Sequence, residues 1–392
     1  MAPTYPFSET DGLTLDPTYE RLRRDEPVSR VTYPYGGEGW LVTSYEETKF
    51  VLGDPRFSRA RTVDRDVPRM QPLIAPGGSI LTHDGADHAR MRRLVSKAFT
   101  VRRIEELRPR AQQITDELLD RLDNPGDLVE GFTMPFPITI ICELLGVPFE
   151  DRADFRKWSN QALSTVGGYT PEEAMHGVTK LHAYFTDLVA KRRAHPTDDL
   201  MSALVAARDN DDRLSEDELV RFGITLLVAG HETTAKMLAN TVVTLFDHPD
   251  ALKRLKDQPE MLPNAIEELL RFIPLGSGAG FPRIATEDVQ VGNALVKEGD
   301  ALLVVVSSAN HDEAMYANSA ELDLEREVGQ HLQFGHGIHF CLGAHLARME
   351  MQVAIGALVA RFPDLRLAVE ADKVRWKTGS AVWGLDSLPI EF

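Results

Sequence analysis

The sequence is short of cysteine, of basic residues and of long apolar segments. Its 392 residues include only two cysteines, Cys142 and Cys341, so a framework of several disulfides is excluded and a reducing compartment is indicated. No segment reaches the ~20 consecutive apolar residues of a membrane-spanning helix, and residues 1–14 lack the basic and apolar pattern of a leader peptide. We therefore expect a cytoplasmic protein that does not span a membrane.

Basic residues are outnumbered, since 43 lysines and arginines face 60 aspartates and glutamates, which gives a net charge of −17. This balance argues against a nucleic acid as the partner, because binding to phosphates needs a basic surface. One segment is an exception, although a run of this kind is usually only a solvated face. This basic segment, residues 88–110, contains Arg90, Arg92, Arg93, Lys97, Arg102, Arg103, Arg108 and Arg110.

Helical periodicity dominates the first two thirds of the chain, and strand patterns are concentrated in the last third. A loop over residues 56–82, rich in proline and glycine, is long enough to indicate a functional lid. Because no linker divides the chain, we expect one domain, residues 1–392, that is mainly α with a smaller β portion. Helices are predicted at residues 16–26, 45–52, 88–123 with a break near 100, 136–145, 151–166, 171–192, 198–207, 215–247, 249–256 and 263–272. Strands are predicted at residues 31–43 (a hairpin), 284–296, 301–308, 365–369 and 374–383.

Cys341 lies where a glycine-rich loop meets a predicted helix. The residues after it recur at helical spacing until Pro363, so backbone N–H groups and the helix dipole are expected to favour a thiolate. A thiolate is either a nucleophile, for which His339 is a nearby base, or a metal ligand. A buried structural cysteine is the third possibility. The loop carries the pattern Phe334, Gly335, Gly337, His339, Cys341 and Gly343.

The longest helical pattern, residues 215–247, opens with a capping box of the Ser-x-x-Glu type. Its centre combines glycine, a carboxylate and β-branched residues, which is a poor composition for a helix. The hydroxyl of Thr233 would normally bond to the carbonyl of Ala229, four residues earlier, and a bulge would free both groups to hold water or dioxygen. Glu232 points away from that face and can join a proton path. A glycine-kinked core helix is the alternative.

The cysteine pattern resembles the haem-binding signature of the cytochrome P450 family at all six positions, and the centre of the long helix resembles that family's oxygen-activation motif. The resemblance covers residues 13–392. It implies a single-domain cytochrome P450 fold, with haem b between the long helix and the Cys341 loop and with Cys341 as the ligand of the iron. Thr233 and Glu232 are then the catalytic pair that handles dioxygen and its protons. The other cofactor-binding residues that it implies are His88, Arg92, Arg283, His339, Phe334, Gly335, Gly343 and Ala229.

A further motif also resembles the family. Glu268 and Arg271 are three residues apart on a predicted helix and can pair, as in the structural Glu-x-x-Arg pair of cytochromes P450, which a second arginine completes. Arg326 matches that second arginine. The surrounding segment departs from the family pattern, since Leu322 stands where phenylalanine is common and no proline precedes it.

The resemblance implies a monooxygenase of the bacterial, ferredoxin-dependent type, which receives electrons from NAD(P)H through a ferredoxin reductase and a ferredoxin. The chain is most similar to actinobacterial members that hydroxylate or epoxidise bulky apolar metabolites, such as macrolides, other polyketides or peptide natural products, in antibiotic biosynthesis. We expect a monomer whose basic segment docks an acidic ferredoxin. By alignment, the substrate pocket is lined by residues 60–82, 166–169, 224–233, 275–281 and 381–383.

Other functions remain open at this point. The same oxidant can serve radical coupling or ring formation without oxygen insertion, and the sequence does not separate this from oxygenation. A peroxide-driven peroxygenase is disfavoured because such relatives usually lack the pair that Glu232 and Thr233 supply. A non-catalytic haem sensor would keep Cys341 without needing that pair, and a cysteine hydrolase would be colourless.

Overall fold

The protein is mainly helical with small sheets, as the sequence predicts. The computed structural model describes residues 2–8, 12–96, 98–163, 168–211, 214–276, 280–377 and 379–392. No helix within these ranges is long and apolar enough to cross a membrane. The helices are α1 (Thr18–Asp25), α2 (Tyr45–Gly53), α3 (Gly85–Ser96), α4 (Val101–Leu119), α5 (Pro135–Leu145), α6 (Arg152–Ala162), α7 (Pro171–Ala194), α8 (Leu200–Asp211), α9 (Glu216–Asp247), α10 (Pro249–Asp257), α11 (Leu262–Phe272), α12 (Val306–Ala309) and α13 (Ala344–Arg361).

The strands are short and most of them follow α11. The largest sheet has the order β1-β2-β8-β5-β3, in which only the β2–β8 pair is parallel. The strands are β1 (Val28–Thr32), β2 (Glu38–Val42), β3 (Phe57–Ser58), β4 (Gly126–Asp127), β5 (Arg283–Ala285), β6 (Val289–Val291), β7 (Ala294–Val296), β8 (Ala301–Val304), β9 (Arg366–Leu367), β10 (Arg375–Trp376), β11 (Leu385–Ser387) and β12 (Pro389–Glu391). This sheet carries the first residue of β5, Arg283, into the site described below.

Most predicted elements form close to their expected bounds, including the early hairpin of β1 and β2 and the helix break before α4, where Thr100 caps the helix. Two expectations are wrong. Of the strand predicted over residues 374–383, only β10 (Arg375–Trp376) forms among the described residues. The strand predicted over residues 301–308 ends at Val304, and the chain continues as the short helix α12. There the backbone N–H of Ala309 donates to the carbonyl of Val305 at 3.0 Å, so local helical bonding prevails over the strand propensity of the valines.

Helix α9 is the central element and is 32 residues long. It begins with the predicted capping box, since Ser215 Oγ accepts from the backbone N–H of Glu218 at 3.1 Å and a carboxylate oxygen of Glu218 accepts from the N–H of Ser215 at 2.7 Å. Helices α5, α7 and α13 pack around it. At Gly230 the contact with α5 is so close that a Cβ atom would lie 2.8 Å from Cγ1 of Ile141, which explains the glycine in mid-helix.

Glu268 and Arg271 form the predicted buried ion pair on α11, and both are almost inaccessible to solvent. Arg271 Nε lies 2.7 Å from Glu268 Oε2, and Arg326 Nε lies 3.1 Å from Glu268 Oε1, so Arg326 completes the group as expected. Arg271 also donates to the carbonyls of Asn310 and Ser319 at 2.8 and 2.9 Å. These bonds to backbone oxygens fix the irregular segment that leads to the Cys341 loop, and removal of one partner would leave a buried charge uncompensated.

Candidate active site

The Cys341 loop, residues 334–343, closes on itself just before α13. The backbone N–H of Cys341 donates to the carbonyl of Phe334 at 2.8 Å. Gly335 and Gly337 both have φ of +73°, and a Cβ atom at Gly337 would lie 2.6 Å from the carbonyl oxygen of Leu52. These two positions therefore require glycine for their backbone conformation, and the turn that they form delivers the cysteine to its place.

Cys341 is exposed, although protein atoms surround it closely. Burial raises the pKa of the thiol, whereas the backbone N–H of Gly343, Arg92 and Arg348 lower it. The backbone N–H thus favours the thiolate, as expected at the start of a helix, but in the protein by itself desolvation has the larger effect on the pKa. A bound metal cation would reverse the balance, since coordination deprotonates a thiol.

Exposed residues lie both on α9 and on the Cys341 loop. Ala229 is exposed and Thr233 is only half-buried, although both lie in the middle of a helix that is otherwise mostly buried there. Ile338 and Cys341, in the loop before α13, are exposed as well. Because this loop leads into α13, which packs on α9, we infer that these surfaces border one cleft, where the two motifs singled out in the sequence meet.

Thr233 keeps its local hydrogen bond. Its hydroxyl donates to the carbonyl of Ala229 at 2.9 Å, and α9 continues through this turn as a regular α-helix. The bulge considered from the sequence, which would free the hydroxyl and the carbonyl, is therefore not present. Any role of the Thr233 hydroxyl toward a group in the cleft requires it to accept a hydrogen bond or to exchange this donor bond for another.

Glu232 faces away from Ala229 and Thr233, as predicted, and is fully buried. Its Oε1 lies 3.4 Å from Nζ of Lys377, which donates to Oδ1 of Asn160 at 2.6 Å, while Oε2 has no hydrogen-bond partner among the residues that the structure describes. Burial raises the pKa of Glu232, but the nearby positive charges, Lys377 first, outweigh it and hold that pKa below its usual value. Glu232 is therefore an ionised carboxylate with a free oxygen.

Two of the predicted cofactor contacts, His88 and His339, pack ring against ring with their centroids 4.5 Å apart. His339 Nε2 lies 3.5 Å from Oδ1 of Asp84, at the limit of a hydrogen bond. Burial lowers the pKa of His339 to about 4 and also lowers the pKa of His88. Both imidazoles are thus neutral at pH 7, and each has one N–H to donate but no charge.

Arg283 and Arg92, the other two predicted contacts, supply charge. Arg283 is 2% exposed, and its Nη2 atom has no hydrogen-bond partner in the described part of the chain. Burial lowers the pKa of Arg283 to about 10, against the effect of Asp84. Arg92 donates from Nη1 to the carbonyl of Ile338 at 3.3 Å. A buried guanidinium donor without an acceptor is costly, so the site is built for an anion that supplies acceptors.

The site fits a haem on these observations. The unsatisfied donor of Arg283 suits a porphyrin carboxylate, and the exposed sulfur of Cys341 is available to a metal. Beside Gly343 and Gly335 there is open space where a Cβ would otherwise project, with nothing within 4 Å of Gly343. Phe334, the remaining predicted contact, packs against the guanidinium of Arg348 at 4.5 Å.

The sequence analysis missed several charged side chains around the site. Lys377 and Lys236 flank Glu232, and burial lowers the pKa of Lys236 to about 8. Glu350 is fully buried on α13 beside Thr234, and burial raises its pKa well above the usual value. Glu350 had a visible signal, since it is an acid within an apolar helical pattern. Lys377 had none, because only tertiary packing carries residue 377 to α9.

A cleft bordered by an exposed cysteine, open space beside glycines and unsatisfied buried cations has the chemistry of a thiolate-ligated haem enzyme. Residues 170–373 match the family described as Cytochrome P450. The chain is 49% identical over 391 residues to nocardicin C N-oxygenase of Nocardia uniformis subsp. tsuyamanensis, with 99% of this chain and 98% of that protein covered. It is 47% identical over 389 residues to mycinamicin IV hydroxylase/epoxidase of Micromonospora griseorubida, with 98% of each covered.

A solved structure gives the same result for the fold. The crystal structure of a cytochrome P450 with biaryl coupling reactivity superposes with a TM-score of 0.96 at 41% sequence identity and covers 100% of both chains. The chain belongs to the cytochrome P450 family. It is a monooxygenase by class, and its cofactor is haem, so the predicted family, fold, enzyme class and cofactor are confirmed.

Proposed function

We propose that this monooxygenase hydroxylates or epoxidises a bulky apolar natural product, with Cys341 as the ligand of the haem iron. The observation that carries the proposal is the exposed thiol of Cys341 inside a cleft whose edge holds the unsatisfied guanidinium of Arg283. When bound, haem supplies the activation of dioxygen with two electrons. The protein supplies the thiolate, the counter-charges, the proton donors and a water-poor cavity.

The residues proposed to surround the cofactor have different roles, which follow from their chemistry. Arg283 and Arg92 provide positive charge for the carboxylates, and His88 and His339 provide neutral N–H donors. Gly335 and Gly343 leave room for a flat ring, while Phe334 and Ala229 offer apolar surface beside it. Because α9 is a regular helix at Ala229, no bulge interrupts this apolar surface.

Thr233 and Glu232 are proposed to handle protons. The Thr233 hydroxyl borders the cleft and can accept a hydrogen bond while it donates to Ala229. Glu232 is ionised, and its free oxygen can take up a proton behind the same helical turn. Lys377 has a partly exposed side chain and touches Glu232, so it connects this carboxylate to the protein surface.

Contacts of the predicted pocket segments support a substrate site above the cleft. Residues 63–79 contain no helix or strand, and this loop reaches α9, where Ser79 Oγ lies 3.2 Å from the hydroxyl of Thr225. The backbone N–H of Trp383 donates to the carbonyl of Leu275 at 2.9 Å, which joins two more of the predicted segments. Residues 166–167 and 277–279, which are also predicted to line the pocket, lie outside the described residues.

The natural-product substrate is inferred from relatives. Nocardicin C N-oxygenase and mycinamicin IV hydroxylase/epoxidase are named for nocardicin C and mycinamicin IV. Phe281, which is 46% exposed, gives this chain an apolar contact for a bulky molecule. Coupling without oxygen insertion is a second candidate, because a similar structure has biaryl coupling reactivity.

The test is reconstitution with a ferredoxin, its reductase and NAD(P)H under ¹⁸O₂, with mycinamicin IV and nocardicin C as probes. The expected result is a product that carries one ¹⁸O atom. A product that has lost hydrogen without gaining label would favour the coupling function instead. Conversion of neither probe, with rapid oxidation of an unrelated small substrate, would contradict the substrate class.

Fewer residues of the basic segment are available for docking in the structure than the sequence indicates. Arg90 and Arg110 pair with Glu218 and Glu143, each at 2.6 Å, and Lys97 lies outside the described residues. Arg102 and Arg103 remain 85% and 64% exposed, and among the described residues the ion pair of each is with Glu106, at 3.5 and 3.3 Å. We propose that a ferredoxin with an acidic surface docks at this remaining part, in the cytoplasm.

Changing Arg102→Glu together with Arg103→Glu is expected to lower kcat/KM for the ferredoxin roughly tenfold at low salt, because steering by opposite charges is lost. The difference from the parent enzyme should shrink as ionic strength rises. Arg24→Glu with Lys253→Glu, on exposed side chains of α1 and α10, is the control with an equal change in net charge. Equal losses in both double variants would rule out a specific docking site.

A further inference from the structure

Arg59 is a partly buried arginine that no motif explains. It follows strand β3, and its guanidinium lies 4.9 Å from the ring centre of Phe281. The guanidinium has one hydrogen bond, from Nη1 to the carbonyl of Leu81, and this bond is long at 3.5 Å. Its Nε atom is buried and has no hydrogen-bond partner within the described ranges. An arginine held in this way has donors to spare.

The charges around Arg59 do not balance. Burial lowers the pKa of Arg59 well below that of an ordinary arginine, and the neighbouring Arg283 adds to the effect. Asp84 is the carboxylate that opposes these charges, but its oxygens already accept from the Ser58 hydroxyl at 2.6 Å and from the backbone N–H of Ala60 at 3.0 Å. Two guanidinium groups therefore share one carboxylate that is largely occupied elsewhere.

Arg59 also belongs to the same cluster as the predicted cofactor contacts. Strands β3 and β5 pair with Ser58 opposite Ile284, so Arg59 lies beside Arg283. Asp84 Oδ1 accepts from the backbone N–H of Arg59 at 3.3 Å and lies 3.5 Å from Nε2 of His339. Arg92 is directed to the carbonyl of Ile338, whereas Arg59 and Arg283 each keep a buried donor without a partner in the described part of the chain.

We propose that Arg59 and Arg283 together form a carboxylate site at the edge of the cleft, which binds a propionate of the haem. The inference rests on the haem site proposed above and adds Arg59 to it. Packing of Phe281 over one face of the guanidinium leaves its edge, with the unsatisfied Nε, free for the carboxylate. Substrate carboxylates offer the same chemistry, and the experiment separates the two sources.

The experiment measures transfer of haem from the purified holoenzyme to apomyoglobin, together with the reduction potential of the iron. Arg59→Met is expected to lose haem about tenfold faster than the parent protein, which corresponds to about 1.4 kcal/mol. Its potential should fall, because a positive charge beside the cofactor is removed. Arg59→Lys should lie between the two proteins, since it keeps the charge without the fork geometry.

Arg61→Met is the matched control. It removes the same charge two residues further on, from a half-exposed side chain whose nearest acid is Glu298 at 3.6 Å, and it should leave transfer rate and potential unchanged. Should Arg59→Met fail to fold, as judged by circular dichroism, Arg59→Gln tests the same loss of charge in a polar side chain.

Equal transfer rates and potentials in the parent and Arg59→Met proteins would overturn the inference. A normal transfer rate combined with weaker binding of dodecanoate, but not of its methyl ester, would also overturn it, because Arg59 would then face the substrate. A parent protein that binds no haem would refute the proposed function itself, and this result is distinct from both.

Discussion

Replacing Cys341 with alanine is expected to abolish the thiolate-ligated haem and to reduce substrate oxidation to background. The wild-type protein, reduced and exposed to carbon monoxide, should show a Soret band strongly red-shifted from that of histidine-ligated haem. In Cys341→Ala this band should be absent, because alanine offers no ligand, and the other possible ligands of the loop, His336 and His339, would give a histidine-ligated band without this red shift.

Cys142→Ala is the control for loss of a cysteine. Cys142 is buried within α5, which packs on α9 and is not part of the Cys341 loop, so this variant should keep the red-shifted band. A thiolate spectrum retained by Cys341→Ala would show that the ligand has been assigned to the wrong residue. A wild-type band like that of a globin would have the same meaning.

The second large effect is expected for Thr233→Ala. Substrate binding, measured by the spectral change that it causes, should be unchanged. The amount of product formed per NAD(P)H oxidised should fall roughly tenfold or more, because electrons are diverted to hydrogen peroxide or water. The reason is that the cleft loses the hydroxyl that borders it, and a positioned proton donor is typically worth 10²–10⁴ in rate. Peroxide and product are measured in the same reaction.

Thr233→Ser keeps the hydroxyl and should recover most of the coupling between NAD(P)H and product. If Thr233→Ala and Thr233→Ser were equally uncoupled, the methyl group rather than the hydroxyl would matter, and packing would be the explanation. If neither variant were uncoupled, Thr233 would have no part in proton delivery, and Glu232 would have to act through another group.

The helices could be predicted because they depend on patterns of residues that are close in sequence. The capping box of α9, the break at Thr100 and the glycine turns of the Cys341 loop each depend on residues close in sequence. Local propensity failed at residues 306–309, where the four-residue helix α12 replaces a strand. The pairing of Glu268 with Arg326 was predictable only through the family resemblance, since 58 residues separate the two.

The site was less accessible to sequence reasoning than the fold. The cysteine, the threonine and the histidines and arginines expected to contact the cofactor were found from the sequence, but Arg59, Lys377 and Glu350 acquire their character from burial. Protonation depends on burial in the same way. Desolvation lowers the pKa values of His88 and His339 and raises the pKa of Cys341. The sequence pattern does not show how deeply a side chain is buried.

The close contact between Gly230 and Ile141 has a consequence for the size of molecule that the enzyme accepts. Ala229 borders the cleft, but Gly230, the next residue along α9, contacts Ile141 of α5. The two helices therefore pack at this point without spare space. An atom added at position 230, or a larger residue at 141, would require the Ile141 side chain or this turn of α9 to move, because packed interiors transmit such strain. The height of the space above the cofactor therefore depends on Ile141, a residue that does not contact the substrate.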